Sequence, residues 1–182
     1  ELEELKIKQG TLSFIESENK QLKAGFGIAS SSKFIVASVL EKPSFIPYDI
    51  FIVDAGKVEG VSTSSIIYAP GELPIGKVVE VYDNTSKAVL FSSPTEKTEI
   101  SIGDNNIPGM ATGRGGGQYF VELPRGLNIK IGDLITYSNL NKFLGKVEYI
   151  DEDPSLTFER IYFAVPTNIY QIKWVKVSLN SK

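Results

Sequence analysis

Two missing residue types narrow the chemistry open to this chain. None of its 182 residues is histidine and none is cysteine. Without imidazole there is no Ser-His-Asp or Cys-His arrangement, and the commonest general base and metal ligand are lost. Without thiols there are no disulfides, thiolate nucleophiles or Cys-rich metal sites. Carboxylate or lysine chemistry remains. Val53-Asp54-Ala55-Gly56 has the outline of an aspartic-protease turn, but that reaction needs two carboxylates sharing a proton. The only counterpart, Asp133 in Ile131-Gly132-Asp133-Leu134, lacks the Gly that should follow, so a strand-ending turn is the better reading. Ser17-Glu18-Asn19-Lys20 and Ser30-Ser31-Ser32-Lys33 have Ser-x-x-Lys spacing. A lysine base needs burial to lower its pKa, and neither an exposed helix nor a serine-rich linker supplies it.

Gly113-Arg114-Gly115-Gly116-Gly117-Gln118 has the glycine content of a phosphate loop. It lacks the Gly-Lys-Ser/Thr ending, and a strand follows where a helix N-terminus should stand. A flexible inter-strand loop is expected, with Arg114 a candidate partner contact. Asp151-Glu152-Asp153 misses calcium-loop spacing and reads as a solvated turn. Trp174 alternates with apolar neighbours and reads as a core or rim residue.

The elements that would carry these residues are mostly strands. Residues 1–24 have helical period, with Leu5, Leu12 and Asn19 at one heptad position and Lys8, Ile15 and Leu22 at the other. Leu5, Leu12, Ile15, Asn19 and Leu22 form the expected oligomerisation seam, in which Asn19 would fix register. The alternative is a helix packed on its own domain. Gly25 ends the helix, and a serine run makes residues 25–32 a linker. From Lys33 onward, short β-branched runs are punctuated by Gly and Pro, a pattern of small barrels or a sandwich. One phrase recurs: Ile75-Gly76-Lys77-Val78 with Val81, and Leu144-Gly145-Lys146-Val147 with Ile150. Gly60 with Ile66-Ile67 precedes the first copy, and Gly132 with Leu134-Ile135 the second. Two related β units follow from this, divided near residues 105–118, with each repeated Gly bending a strand at a barrel corner. Domains are therefore expected at 1–24, 25–32, 33–110 and 111–182.

Composition excludes several roles. The net charge is −3 with acids and bases interspersed, so no basic cluster exists to release counterions from nucleic acid or to hold an acidic membrane. No run is long and apolar enough to span a bilayer. The acidic start, already in a helical pattern, implies a native N-terminus further upstream.

Taken in order, these pieces resemble the bacterial rod-shape-determining MreC family. Glu18-Asn19-x-x-Leu22, Val36 to Leu40, Ile52-Val53-Asp54-Ala55-Gly56 with Gly60-Val61, Ile75-Gly76-Lys77-Val78, Ser86 to Leu90, Gly132-Asp133-Leu134-Ile135-Thr136 and Gly145-Lys146-Val147 carry the resemblance. The segment Tyr137–Phe143 departs from it, being short and without the family's Pro and Gly. The resemblance implies a mainly β protein: a coiled-coil helix followed by two small six-stranded barrels on the extracytoplasmic side, anchored by an upstream membrane helix. It implies a scaffold without catalysis or cofactor, touching a class B penicillin-binding transpeptidase, MreD and the MreB filament system, and self-associating. Phe45, Ile46 and Tyr48, in a Pro-bracketed loop, are further candidate contacts; packing of that loop onto the barrel is the equal alternative. The rival readings are a periplasmic adaptor of an efflux or secretion system, which would need a returning helix, and a protease-like double barrel, which would need a base.

Overall fold

The computed structural model describes residues 9–11, 33–42, 49–151 and 157–179. Gln9, Gly10 and Thr11 are helical; the rest of the expected helix, including the seam residues Leu5, Leu12, Ile15, Asn19 and Leu22, lies outside the described residues. The strands are β1 (Lys33–Glu41), β2 (Ile50–Val53), β3 (Ile66–Ala69), β4 (Leu73–Val81), β5 (Ser86–Leu90) and β6 (Lys97–Ile102). They continue with β7 (Ile107–Gly115), β8 (Gln118–Pro124), β9 (Leu134–Tyr137), β10 (Lys142–Asp151), β11 (Phe158–Ala164) and β12 (Trp174–Leu179). Burial follows a period of two. In β8, Tyr119, Val121 and Leu123 face inward while Gln118, Glu122 and Pro124 face out.

Hydrogen bonding closes the strands into two barrels, in the orders β1-β12-β3-β4-β5-β2 and β10-β11-β8-β7-β6-β9. Closure leaves neither sheet with an open edge. This differs from the expected division into 33–110 and 111–182: β6 and β7 both lie in the second barrel, and β12 returns to the first. The neighbour relations give the reason. β1 to β5 hold the same places in the first barrel as β7 to β11 hold in the second, and the sixth place is filled by β12 in one and β6 in the other. The sequence repeats are thus β1–β6 and β7–β12, and each gives its last strand to the other's barrel. The expected boundary near residues 105–118 adjoins the end of the first repeat, whereas the barrels part between β5 and β6.

The shared phrase occupies one structural place in both copies. Ile75, Val78, Leu144 and Val147 are buried core residues, with Val81 and Ile150 packed partly against them. Gly76 pairs with Ile67 and Gly145 with Ile135. A Cβ on Gly76 would stand 2.5 Å from the Val89 carbonyl oxygen, and one on Gly145 would collide with the Ala164 carbonyl. The glycines therefore admit the backbone of the neighbouring strand. Beyond them both strands bulge, between Val78 and Glu80 against β5 and between Val147 and Tyr149 against β11. The approach to each phrase is also shared. Ser64 N donates to Val78 O at 2.8 Å, as Gly132 N does to Val147 O at 2.8 Å. Both donors have positive φ, 72° at Ser64 and 95° at Gly132. The counterpart of Gly132 is therefore Ser64, not Gly60, whose amide closes a separate turn onto Lys57 O.

Candidate binding surfaces

The carboxylates that sequence spacing brought to mind do not meet. Asp54 follows β2 of the first barrel and accepts a long 3.4 Å bond from Ser38 Oγ; Asp133 precedes β9 of the second and accepts from Lys130 N at 2.9 Å. Among the described residues, no group of three acidic side chains is placed to hold a metal ion. Nor is any helix there long and apolar enough to cross a membrane.

The Gly113–Gly117 stretch is not the flexible loop expected. β7 continues through Gly115, and Gly116-Gly117 turn the chain into β8. The tightness comes from the neighbouring backbone: a Cβ on Gly113 would run into the carbonyls of Ser92 and Ser93. Gly115 N donates to Ser92 O at 2.6 Å, and Gly116 N to Asp49 Oδ2 at 2.9 Å. Ser92 Oγ donates to the same carboxylate oxygen at 2.6 Å. Asp49, buried just before β2, thus ties the first barrel to the connecting segment and to the hairpin of the second. Tyr119 is buried beside it, and desolvation followed by the Asp49 charge pushes its phenol above the ordinary range. A serine bonded to an acid between two barrels has the outline of a hydrolase site. Here both groups are buried and there is no imidazole to take a proton, so the pair works as a latch. Two further contacts join the barrels: Phe91 meets the Tyr137 ring at 5.0 Å, and Lys142 Nζ lies 2.6 Å from Glu72 Oε2.

The outer faces of the two barrels differ at equivalent places. In the first, the residue after the bulge is Glu80, paired in register with Lys87; Nζ lies 2.8 Å from Oε1, and Tyr82 Oη donates to Oε2 at 2.6 Å. The Lys87 hydrogen bond, then that of Tyr82, lowers the Glu80 pKa. In the second barrel the same positions hold Tyr149 and Tyr162, whose rings stand 5.8 Å apart at 33°. Phe120 continues the row at 6.4 Å from Tyr162, and Arg160 lies over Phe120 while ion-paired to Glu122. Arg114, the sequence candidate, sits with its guanidinium 5.1 Å over the Tyr162 ring. Together with Gln118, Tyr119, Glu148, Tyr149 and Phe163, these two residues line an open groove of about 370 Å³. Sequence inspection missed this array. Aligning Glu80 with Tyr149 across the repeat was the signal that would have exposed it.

A second surface is apolar. On β1, Val36 is 66% and Leu40 53% exposed, and on the adjacent β12 Trp174 is 60% exposed. The bond from Val39 N to Lys173 O, 2.9 Å, sets Trp174 beside that part of β1. Trp174 therefore faces solvent rather than core or rim. Phe45, Ile46 and Tyr48 lie outside the described residues.

Two interlocked six-stranded barrels, latched by a buried acid and bearing recognition-type side chains outside, define a double-barrel binding protein. Residues 39–178 match the family model for the rod shape-determining protein MreC, barrel core. The chain belongs to that family, which is one of shape-determining scaffolds and not of enzymes. MreC from Listeria monocytogenes is similar at 22% identity and a TM-score of 0.78, covering 100% of this chain and 93% of that one. MreC from Pseudomonas aeruginosa gives 18% and 0.73, covering 80% and 98%. MreC from Helicobacter pylori, in its complex with the penicillin-binding protein PBP2, gives 16% and 0.57, covering 81% and 99%. No curated protein matches the chain significantly in sequence.

Proposed function

We propose that this chain is an extracytoplasmic scaffold of cell elongation that docks a class B penicillin-binding transpeptidase on the β1/β12 face of its first barrel. The observation that carries this is the row of Val36, Leu40 and Trp174, outward-facing apolar side chains on two adjacent strands. Exposed apolar residues on adjacent strands with a tryptophan among them suit a protein interface. The reading is supported by the related Helicobacter protein, which binds PBP2. It extends, through the family, to an upstream membrane anchor, to contacts with MreD and the MreB system, and to self-association through the heptad seam.

The test is binding of the cognate transpeptidase's extracytoplasmic domain to immobilised chain, comparing Leu40→Asp and Trp174→Ala with the parent. Both sites are solvent-facing, so the variants should keep the parent's circular dichroism and melting temperature. Loss of affinity by about tenfold or more in either is expected; unchanged affinity in both removes the face from the interface. Light scattering on a Leu12→Asp, Ile15→Asp variant checks the seam separately, with a fall in mass expected.

A further inference from the structure

We propose that the groove on the outer face of the second barrel binds the pyranose ring of a neutral saccharide. The groove lies on a different barrel from the β1/β12 face, and the inference does not rest on transpeptidase docking.

The argument starts from the bulge. Opposite β11, the register shift between Val147 and Tyr149 leaves Glu148 and Tyr149 both exposed on one strand. Bulges commonly re-aim a side chain in this way. Tyr149 is 57% exposed, with its ring 5.8 Å from that of Tyr162. The equivalent position in the first barrel holds Glu80, already consumed by Lys87 and Tyr82. Tyr162 plays another part: Arg114 lies over it, so its ring holds the guanidinium in place rather than meeting a ligand. Beneath them Tyr119 and Phe163 stack at 4.9 Å and 5°, a rigid buried floor.

The polar rim decides the ligand class. Among the described residues, Arg114, Glu148 and the Gln118 side chain have no ion-pair or hydrogen-bond partner. A free cation and a free anion in one groove nearly cancel, which disfavours phosphates, polyanions and simple cations. An apolar ligand would leave all three groups unsatisfied. A peptide added as a strand needs an open sheet edge, and the closed barrel has none. A sugar fits each requirement. Its hydroxyls both donate and accept, so vicinal pairs suit a guanidinium, a carboxylate and an amide equally, and its C–H face packs on a tyrosine ring. The volume of about 370 Å³ lies within the range of small-molecule sites.

The experiment is a ¹H–¹⁵N correlation titration of the whole chain with cellotetraose and with tetra-N-acetylchitotetraose. Saturable shifts at Arg114, Gln118 and Tyr149 are expected with at least one of them. Tyr149→Ala should weaken binding about tenfold, while Tyr149→Phe, which keeps the ring, stays within about twofold. Absence of saturable shifts up to about 10 mM of either saccharide overturns the proposal, as does equal binding by Tyr149→Ala. If neither saccharide binds and Tyr149→Ala instead abolishes transpeptidase binding, the groove is a protein contact and the proposal is wrong. Docking itself is read on Leu40→Asp and Trp174→Ala, so the two readings fail separately.

Discussion

Asp49 is the residue on which the two barrels depend most directly. It accepts from Ser92 Oγ and Gly116 N, and its own carbonyl accepts from Leu90 N at 2.9 Å. Asp49→Ala leaves the buried Ser92 hydroxyl and the half-buried Gly116 amide without their acceptor. Hydrogen bonds to a charged group carry about 1.5–3 kcal/mol each, so a loss of about 3 kcal/mol in urea unfolding is expected, with Asp49→Asn losing less. Gly113→Ala should be worse than a glycine change in an open turn such as Gly71→Ala, because its Cβ meets backbone rather than space. Tyr119 supplies a pH signature. Its folded pKa is raised above the ordinary 10.0, so its contribution is fully present below that value and is lost as pH rises above it. Urea midpoints measured from about pH 8 to about pH 11 should fall at the alkaline end in the parent and fall less in Tyr119→Phe. Glu80 acts in the opposite direction. With its folded pKa lowered, its small surface contribution is present above the ordinary carboxylate pKa and lost as pH falls through the lowered value.

At the scale of elements, the twin strands β4 and β10 make the clearest claim. Each repeated glycine faces a carbonyl of the next strand, at Val89 and at Ala164. Gly76→Ala and Gly145→Ala should each cost about 2–3 kcal/mol, by forcing two hydrogen-bonded strands apart; near-neutral values in thermal unfolding would mean the barrels yield easily there. The duplication was legible because both copies keep Gly and a buried Val at the same spacing. The strands Ile50–Val53 and Phe158–Ala164 were legible for another reason: their β-branched and aromatic residues suit a pleated surface. β7 was not. Its sequence Ile-Pro-Gly-Met-Ala-Thr-Gly-Arg-Gly has the composition of a loop. Its glycines are there because neighbours press on them: a Cβ on Gly109 would stand 3.0 Å from Val121 Cγ2, and one on Gly113 would meet the Ser92 backbone. Arg114 was legible as a polar side chain in a glycine run. Its partner Tyr162 and the neighbouring Tyr149 were not, since strand pairing between β10 and β11 is what joins them. Asp49 escaped notice because a lone acid carries no motif; only the fold brings Ser92 and Gly116 to it.

For the whole molecule, the exchange of sixth strands makes the repeats and the barrels different units. A chain cut in the turn at Gly103–Asn106, between β6 and β7, is cut at the boundary of the repeats. Each half then holds five strands of one barrel and the missing strand of the other. Alone, the first half leaves β1 and β3 without β12 between them, and exposes β6 with no barrel to enter. Unpaired edges of that kind associate or aggregate. Together, the halves can rebuild both barrels, with Asp49 from one meeting Gly116 from the other. Co-expressed halves should therefore co-purify as a heterodimer whose far-ultraviolet spectrum matches the uncut chain, while either half alone is insoluble or self-associates. A cut between β5 and β6 gives the contrasting case, because it leaves the second barrel's six strands on one fragment and takes β12 from the first. That second fragment should fold by itself, with β12 as an unpaired tail. If instead the half ending at the repeat boundary folds as a stable monomer, β12 is dispensable to the first barrel. The interlocking would then be a feature of topology without weight in stability.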